Sequence, residues 1–166
     1  EVKLPNDLTE LGNSAFYGCD QLKKVTIGAS LTSLNAYAFD DCPKLKTVRV
    51  SKSNHVLYAK DNMLINKKKK SVIWIAPAKK KVVIPNGTKV IGDYCFYGSK
   101  AESLVIPKSV KKIGKKALEA SDLEKIRLKK GNKVYAKDGS CIYKKKTKEL
   151  VVVTASKGGQ VVKISP

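Results

Sequence analysis

An internal repeat is the sequence feature that most constrains what this chain can fold into. Residues 2–24 and 25–47 share one pattern position for position, and residues 82–103 and 104–125 carry the same pattern in a slightly shorter form. The shared frame is an apolar alternation, then an Ile/Leu–Gly pair, then a segment such as A-F-x-x-C. Stacked coils are the usual fold of short repeats, because one unit alone cannot bury its apolar face. The repeat therefore predicts a solenoid.

Two longer units alternate with the short ones. Residues 48–81 and 126–160 both contain a Y-A-K-D segment, so the order is short, short, long, twice over. This gives super-repeats over 2–81 and 82–160, and 161–166 has the pattern of the opening strand of a further unit. We therefore expect all 166 residues to form a single repeat array that is part of a longer protein. Apolar side chains should then be exposed at its two ends, namely Val2, Leu4 and Leu8, and Val161, Val162 and Ile164.

Each short unit contains a stretch with alternating apolar residues, such as LKKVTI at 22–27 and LEKIRL at 123–128. Alternation at period two predicts strands with one face in the core, which would stack into a parallel sheet. On the solvent side, a concave face able to contact a ligand, we expect Lys23, Lys46, Arg49, Lys125 and Arg127. The predicted fold is a right-handed leucine-rich repeat solenoid, mainly β with short helical or 3-10 turns, with β-hairpin (meander) units inserted in the array.

The long units predict β-meanders that project from the coil. Asp61-Asn62 and Asp138-Gly139 are turn dipeptides between apolar alternating stretches, which is a strong short-range hairpin signal. Second turns follow at 67–70 and 144–147. The two aspartates could instead be cation ligands, but one carboxylate beside lysines suits calcium poorly, because calcium takes about six to eight oxygens.

Aromatic and cysteine positions follow the repeat. Phe16, Phe39 and Phe96 share one offset, so we expect a buried ladder of rings in one continuous core. Cys19 and Cys42 hold equivalent positions in neighbouring units, where a disulfide is geometrically feasible. Free thiols fill small buried sites equally well, and the frequency of inert buried cysteine favours that alternative.

Four segments carry a family resemblance: AFYGC at 15–19, LTSLNAYAFDDC at 31–42, VVIPNGTKVIGDYCF at 82–96 and VIPKSVKKIGKKAL at 105–118. With the long units they resemble bacterial surface leucine-rich repeat proteins of the BspA type over essentially the whole chain. The chain departs from the family at Leu118, where Phe is usual, and at Cys95, where Ala is expected. The resemblance implies a secreted or surface-attached bacterial protein, often one concerned with adhesion to host matrix or other cells.

Charge is the property that bears most on binding. The net charge is +20, and residues 48–166 alone carry +21, nearly all of it from Lys. Lysine is a hydrated point charge that suits loose attraction to polyanions better than base reading, so no specific nucleic-acid partner is expected. The candidate polyanion-binding residues are Lys67, Lys68, Lys69, Lys70, Lys144, Lys145 and Lys146, which the Y-A-K-D motif places at one offset in the two super-repeats. Alternatively, these runs are solvated turns that keep the surface soluble.

The remaining residues argue against catalysis. His55 is the only histidine, and the sequence holds neither a C-x-x-C pair nor a phosphate-cradling glycine loop, so we expect no enzyme, no cofactor and no metal site. The apolar runs of the sequence are shorter than the roughly 20 residues that span a bilayer, so no transmembrane segment is expected in this chain. We therefore expect an extracellular or cell-surface binding module, monomeric, whose partner is a protein or an anionic glycan. The alternative is a purely structural spacer that presents other domains.

Overall fold

The structure is a computed structural model that describes residues 1–35, 37–119 and 122–154. Over these ranges the chain forms sixteen strands and no helix, so no helix there could cross a membrane. In chain order the strands are β1 (Val2–Lys3), β2 (Glu10–Leu11), β3 (Lys24–Ile27), β4 (Ser33–Leu34), β5 (Thr47–Val50), β6 (Leu57–Lys60), β7 (Met63–Asn66), β8 (Ser71–Ile75), β9 (Lys81–Val83), β10 (Val90–Ile91), β11 (Ser103–Ile106), β12 (Lys112–Ile113), β13 (Lys125–Leu128), β14 (Tyr135–Asp138), β15 (Cys141–Lys144) and β16 (Leu150–Val153). Val161, Val162 and Ile164 lie outside the described residues, whereas Val2, Leu4 and Leu8 are half-buried.

The alternating stretches form parallel ladders, as the sequence predicts. β1, β3 and β5 make one three-stranded sheet, and β9, β11 and β13 make another. Val25 pairs with Val2 on one side and with Val48 on the other, so equivalent positions of successive repeat units lie side by side. Val25 and Ile27 are fully buried because they face the core. The predicted fold, a mainly-β leucine-rich repeat solenoid, is confirmed, with about six turns.

The Ile/Leu–Gly pairs form a second set of parallel ladders. β2 pairs with β4, and β10 lies between β8 and β12. After β10 and β12, the neighbouring coil passes very close to the glycine, Gly92 or Gly114. A Cβ at Gly114 would come within 2.6 Å of the backbone nitrogen of Asp93, so a larger residue would force the coils apart.

Runs of single turns stand where the sequence predicts short helical turns. The N–H of Tyr17 donates within the turn, to the carbonyl of Ser14, whereas the N–H of the next residue, Gly18, donates to Asp40 of the neighbouring coil. A helix needs consecutive N–H groups to donate within their own segment. The coil-to-coil bonds take donors away from each turn and so prevent a helix from forming.

The first long unit folds as the predicted antiparallel meander, β6–β7–β8. Lys60 pairs with Met63, so Asp61 and Asn62 form a two-residue loop. Both loop residues have positive φ, at 49° and 59°, which is the conformation that Asp and Asn tolerate in tight hairpins. The hairpin prediction for this unit is confirmed.

The second meander, β14–β15–β16, is shifted by one residue against its Y-A-K-D motif. Asp138 pairs with Cys141, so the loop consists of Gly139 and Ser140, and the predicted Asp138-Gly139 turn is wrong by one residue. Tyr135 of the motif is 1% exposed, whereas Tyr58 of the first motif is 37% exposed. The tyrosines of the two motifs therefore lie on opposite faces of their strands, because a register shift of one residue reverses the side chains of a strand.

The first meander is a wall inside the solenoid rather than a projection from it. Met63, Leu64 and Ile65 of β7 are consecutive, yet each is at most 1% exposed. Leu64 packs in an apolar cluster with the first two units, while Met63 and Ile65 pack in a second cluster with the units that follow. The prediction of one continuous core is wrong, because β7 is covered on both faces and separates two cores.

The predicted ladder of phenylalanine rings is broken at this wall. Phe16 stacks on Phe39 with ring centroids 5.1 Å apart and an interplanar angle of 10°. The next ring is Trp74 of β8, whose centroid lies 5.1 Å from that of Phe39. Phe96 is fully buried but belongs to the other cluster, so the expectation that it continues the ladder is wrong.

Candidate functional site

Two buried asparagines anchor the long units that carry the lysine runs. The Asn54 amide nitrogen donates to two backbone carbonyls of the preceding coil at 2.9 Å, and its oxygen accepts two backbone N–H groups at the entry to β6. Asn132, in the second long unit, makes the same four kinds of contact. A buried amide whose hydrogen bonds are all made fixes the backbone around it. Each lysine turn therefore stands on a rigid base.

One lysine in each turn braces this base. The Lys67 Nζ donates to the backbone carbonyl of Asn54 at 2.5 Å, and the Lys145 Nζ donates to that of Asn132 at 2.7 Å. Each ammonium thus satisfies a carbonyl at the residue that anchors its own meander. Lys67 and Lys145, predicted as polyanion contacts, are structural in this geometry.

The other predicted lysines divide into one paired and four free side chains. The Lys144 Nζ lies 2.6 Å from Oε2 of Glu149, and this hydrogen bond raises the pKa of Lys144. Among the residues that the structure describes, no hydrogen bond or ion pair engages the ammonium groups of the four that remain, and all four residues are exposed. These free cations are Lys68, Lys69, Lys70 and Lys146.

Sequence reasoning missed Lys148. This residue and Lys70 hold the last position of their turns, with φ of 59° and 49°, and the Lys148 Nζ lies 5.9 Å from the ring centroid of Tyr143. Aligning the two long units on their Y-A-K-D letters places Lys144 opposite Lys67. Aligning them on the anchoring asparagines instead places Lys145 opposite Lys67 and Lys148 opposite Lys70, which are the correct equivalents.

The strand surface carries three of the five predicted ligand contacts. Arg49 is an exposed residue of β5, and Lys125 and Arg127 are exposed residues of β13. Lys23 and Lys46 are exposed as well, but each precedes its strand by one residue. β5 and β13 belong to separate sheets, so these residues form two local groups and not one row.

The four cysteines are free thiols. The Cys42 Sγ contacts the carbonyl oxygen of Phe16 at 3.0 Å. Burial raises the pKa of Cys42 to about 11 and raises that of Cys95 also. These two thiols are therefore protonated at neutral pH and poor nucleophiles. Within the described ranges no cluster of three His, Cys, Asp or Glu side chains could hold a metal ion.

Comparisons with known proteins agree with the architecture. The family model of the BspA type leucine rich repeat region matches residues 1–77 and 75–154, with six copies. Among solved structures, a leucine-rich repeat protein from Eubacterium ventriosum is 26% identical, with a TM-score of 0.58 over 77% of this chain and 41% of its own. The pneumococcal vaccine antigen PcpA is 25% identical, with a TM-score of 0.59 over 78% of this chain and 39% of its own.

A leucine rich cell surface protein from Faecalibacterium prausnitzii shares the fold, with 22% identity and a TM-score of 0.55 over 75% of this chain and 40% of its own. This chain therefore matches about two fifths of each of these three structures. No curated protein sequence is significantly similar to it.

Proposed function

Because the chain belongs to the BspA type leucine-rich repeat family, we propose that it is a non-catalytic binding segment of a bacterial cell-surface protein. The observation that carries this proposal is the set of free cations Lys68, Lys69, Lys70 and Lys146 on braced turns. Because the backbone of each turn is held in place, binding requires ordering of the lysine side chains alone and not of the turn. The partner is an anionic glycan or a protein with an acidic surface, and the protein binds it as a monomer.

The proposed location is extracellular. The neighbour PcpA is called a vaccine antigen, which fits a protein that antibodies can reach. An excess of Lys over Arg suits contact with extended polyanions in the envelope or on host cells, since lysine attracts charge without demanding a fixed geometry.

Retention on immobilised heparin tests the proposal. The variant Lys68→Gln/Lys69→Gln/Lys70→Gln/Lys146→Gln removes the free cations and leaves Lys67 and Lys145 to brace the fold. We expect it to elute at a clearly lower salt concentration than the unmodified protein, because it has fewer cations to attract the sulfate groups of heparin. Salt weakens that attraction, since interactions between exposed charges are screened beyond roughly 8 Å at physiological salt.

A charge-matched variant controls for net charge. Lys3, Lys44, Lys108 and Lys115 are exposed residues outside the meanders, and no ion pair in the described part of the chain engages them. Changing these four to Gln lowers the net charge equally but should shift elution much less. Equal elution of the two variants would assign retention to overall charge and contradict the proposal.

A spacer function is the second candidate, because Lys67 and Lys145 show that lysines in these runs serve the fold itself. A screen against arrays of host proteins and glycans separates the two. Saturable binding to a subset of the immobilised proteins or glycans favours the binding segment, whereas no binding on either array favours the spacer.

A further inference from the structure

Two shallow grooves meet at Tyr58 in the first super-repeat. One, of about 410 Å³, runs between the end of β5 and β6 and contains Arg49 and Lys52. The other, of about 290 Å³, lies between the meander and the loop that follows β9 and contains Lys70 and Thr88. Tyr58 and Lys67 line both. Together these six residues define what we call the Tyr58 groove.

The charge of the Tyr58 groove has one sign. Four of its six defining residues are basic, and no acidic side chain lines either half. Lys67 is braced against Asn54, but no ion pair in the described part of the chain engages Arg49, Lys52 or Lys70. Arg49 is one of only two arginines in the protein, and its planar fork suits bidentate contact with a carboxylate or sulfate.

An exposed aromatic ring lies between these cations. Tyr58 pairs with Ile65 in the meander, so its backbone is held in the sheet, and the residue is 37% exposed. The face of an aromatic ring carries partial negative charge and attracts polarised C–H groups, which sugar rings present on their apolar sides. A flat ring flanked by cations therefore offers both contacts that an acidic sugar needs.

We propose that the Tyr58 groove binds an anionic oligosaccharide, with one sugar ring on Tyr58 and the acidic groups of neighbouring residues at Arg49 and Lys52 on one side and at Lys70 on the other. The inference rests on the proposed function and narrows its partner to a glycan whose carboxylate or sulfate groups recur along the chain. Repeated acidic groups match cations placed on both sides of a single ring, which favours a glycan over an acidic peptide.

The second super-repeat supplies an internal control. When the anchoring asparagines are aligned, Arg127, Lys130 and Lys148 hold the positions of Arg49, Lys52 and Lys70, and all three are exposed. Ala136 stands at the position of Tyr58, because the shifted register buries Tyr135 instead. The aromatic ring of this half is Tyr143, which pairs with Ala136 on the neighbouring strand and has the Lys148 Nζ 5.9 Å from its centroid. This half therefore keeps the charges of the groove, but its ring is engaged by one of those cations.

Calorimetric titration with a size-defined heparin hexasaccharide tests the groove. Arg49→Gln should weaken binding about tenfold, and Tyr58→Ala should weaken it roughly threefold to tenfold. Tyr58→Phe keeps the ring and should bind nearly as well as the unmodified protein. Arg127→Gln removes the equivalent charge from the half whose ring, Tyr143, is engaged by Lys148, and should change the affinity less than about twofold. All four changes lie on the surface, and thermal unfolding checks that each variant is folded.

Equal losses in Arg49→Gln and Arg127→Gln, or no loss in Tyr58→Ala, would overturn the groove while leaving the heparin retention of the proposed function standing. Absence of hexasaccharide binding by the unmodified protein would overturn the groove, and if heparin retention is also absent the proposed function falls with it. Polyglutamate that binds with the same dependence on Tyr58 would identify an acidic-polypeptide site and overturn the glycan assignment.

Discussion

Single side chains in this molecule owe their roles to what their polar atoms contact, not to their residue type. Lys67 and Lys70 belong to one turn and both are exposed, yet only the ammonium of Lys67 reaches a backbone carbonyl, that of Asn54. That carbonyl lies 13 residues earlier in the chain. The sequence locates the lysine run but does not show which lysine braces the fold. The Asn54 carbonyl comes within reach of Lys67 only when the meander is folded.

The Phe39 ring is expected to be among the most costly side chains to remove. It is 2% exposed and lies between Phe16 and Trp74. Phe39→Ala should lower the free energy of unfolding in urea by about 3–5 kcal/mol, because the two neighbouring rings cannot close the cavity. Lys79→Ala, on a loop, should be near neutral. A greater loss from Lys79→Ala than from Phe39→Ala would show that the repeat register is wrong.

Stability should fall at alkaline pH through the buried thiols. Burial raises the pKa of Cys42 from an unfolded value of 9.0 to about 11 and raises that of Cys95 also. Above about pH 9 the unfolded chain releases these protons while the folded protein keeps them, so the free energy of unfolding decreases as pH rises toward 11.

The double variant Cys42→Ala/Cys95→Ala should lose less stability between about pH 8 and about pH 10 in urea titrations, since it lacks both thiols. Alanine fits at position 95 because Ala15 and Ala117 hold the equivalent offset in other units. The same decrease in the variant and in the unmodified protein would contradict this source of the pH dependence.

Among the structural elements, the two meanders show how far a motif predicts a strand. The Y-A-K-D letters predict hairpins in both long units, and both form. They do not predict the register, because the second unit has one residue fewer between its anchoring asparagine and the tyrosine. The hydrogen bonds of the asparagine, at Asn54 and Asn132, fix where the strand starts, and so decide which tyrosine is buried.

This difference gives a matched pair of substitutions. The hydroxyl of Tyr135 accepts a hydrogen bond from the N–H of Ile113 in β12 at 2.7 Å, whereas Tyr58 is exposed. Tyr135→Phe should lower the free energy of unfolding by about 1–2 kcal/mol, because an N–H in the strand ladder loses its acceptor. Tyr58→Phe should leave it unchanged. Equal effects in chemical denaturation would contradict the shifted register.

For the molecule as a whole, the repeat predicts the solenoid but not the division of its interior. Strand pairing follows the repeat directly, because each strand of the ladders pairs with its counterpart in the neighbouring unit. The wall formed by β7 and β8 was unexpected, because a hairpin signal does not say whether one face or both will be covered. The run of apolar residues at 63–65 was the available sign, since strands buried on both faces lose their alternation.

The candidate site, like the fold, was predicted in outline but not in detail. Composition and the lysine runs point to a basic surface, and Arg49 was expected on the concave strand face, apart from the lysine runs. Aromatic residues usually pack in a core or within a hairpin, so the sequence does not single out Tyr58 as an exposed ring. Its exposure depends on the register of β6 and on the neighbouring coils, which no local pattern encodes.

An equilibrium titration of the unmodified protein with the heparin hexasaccharide, at low and at physiological salt, tests the central claim that this chain is a binding segment with a defined site. The account predicts saturable binding of one hexasaccharide per chain, because in the described residues Tyr58 is exposed between its cations whereas the corresponding ring of the second super-repeat, Tyr143, is engaged by Lys148. It also predicts a lower affinity at the higher salt concentration. Binding that never saturates, two equal sites per chain, or no binding at low salt would contradict it.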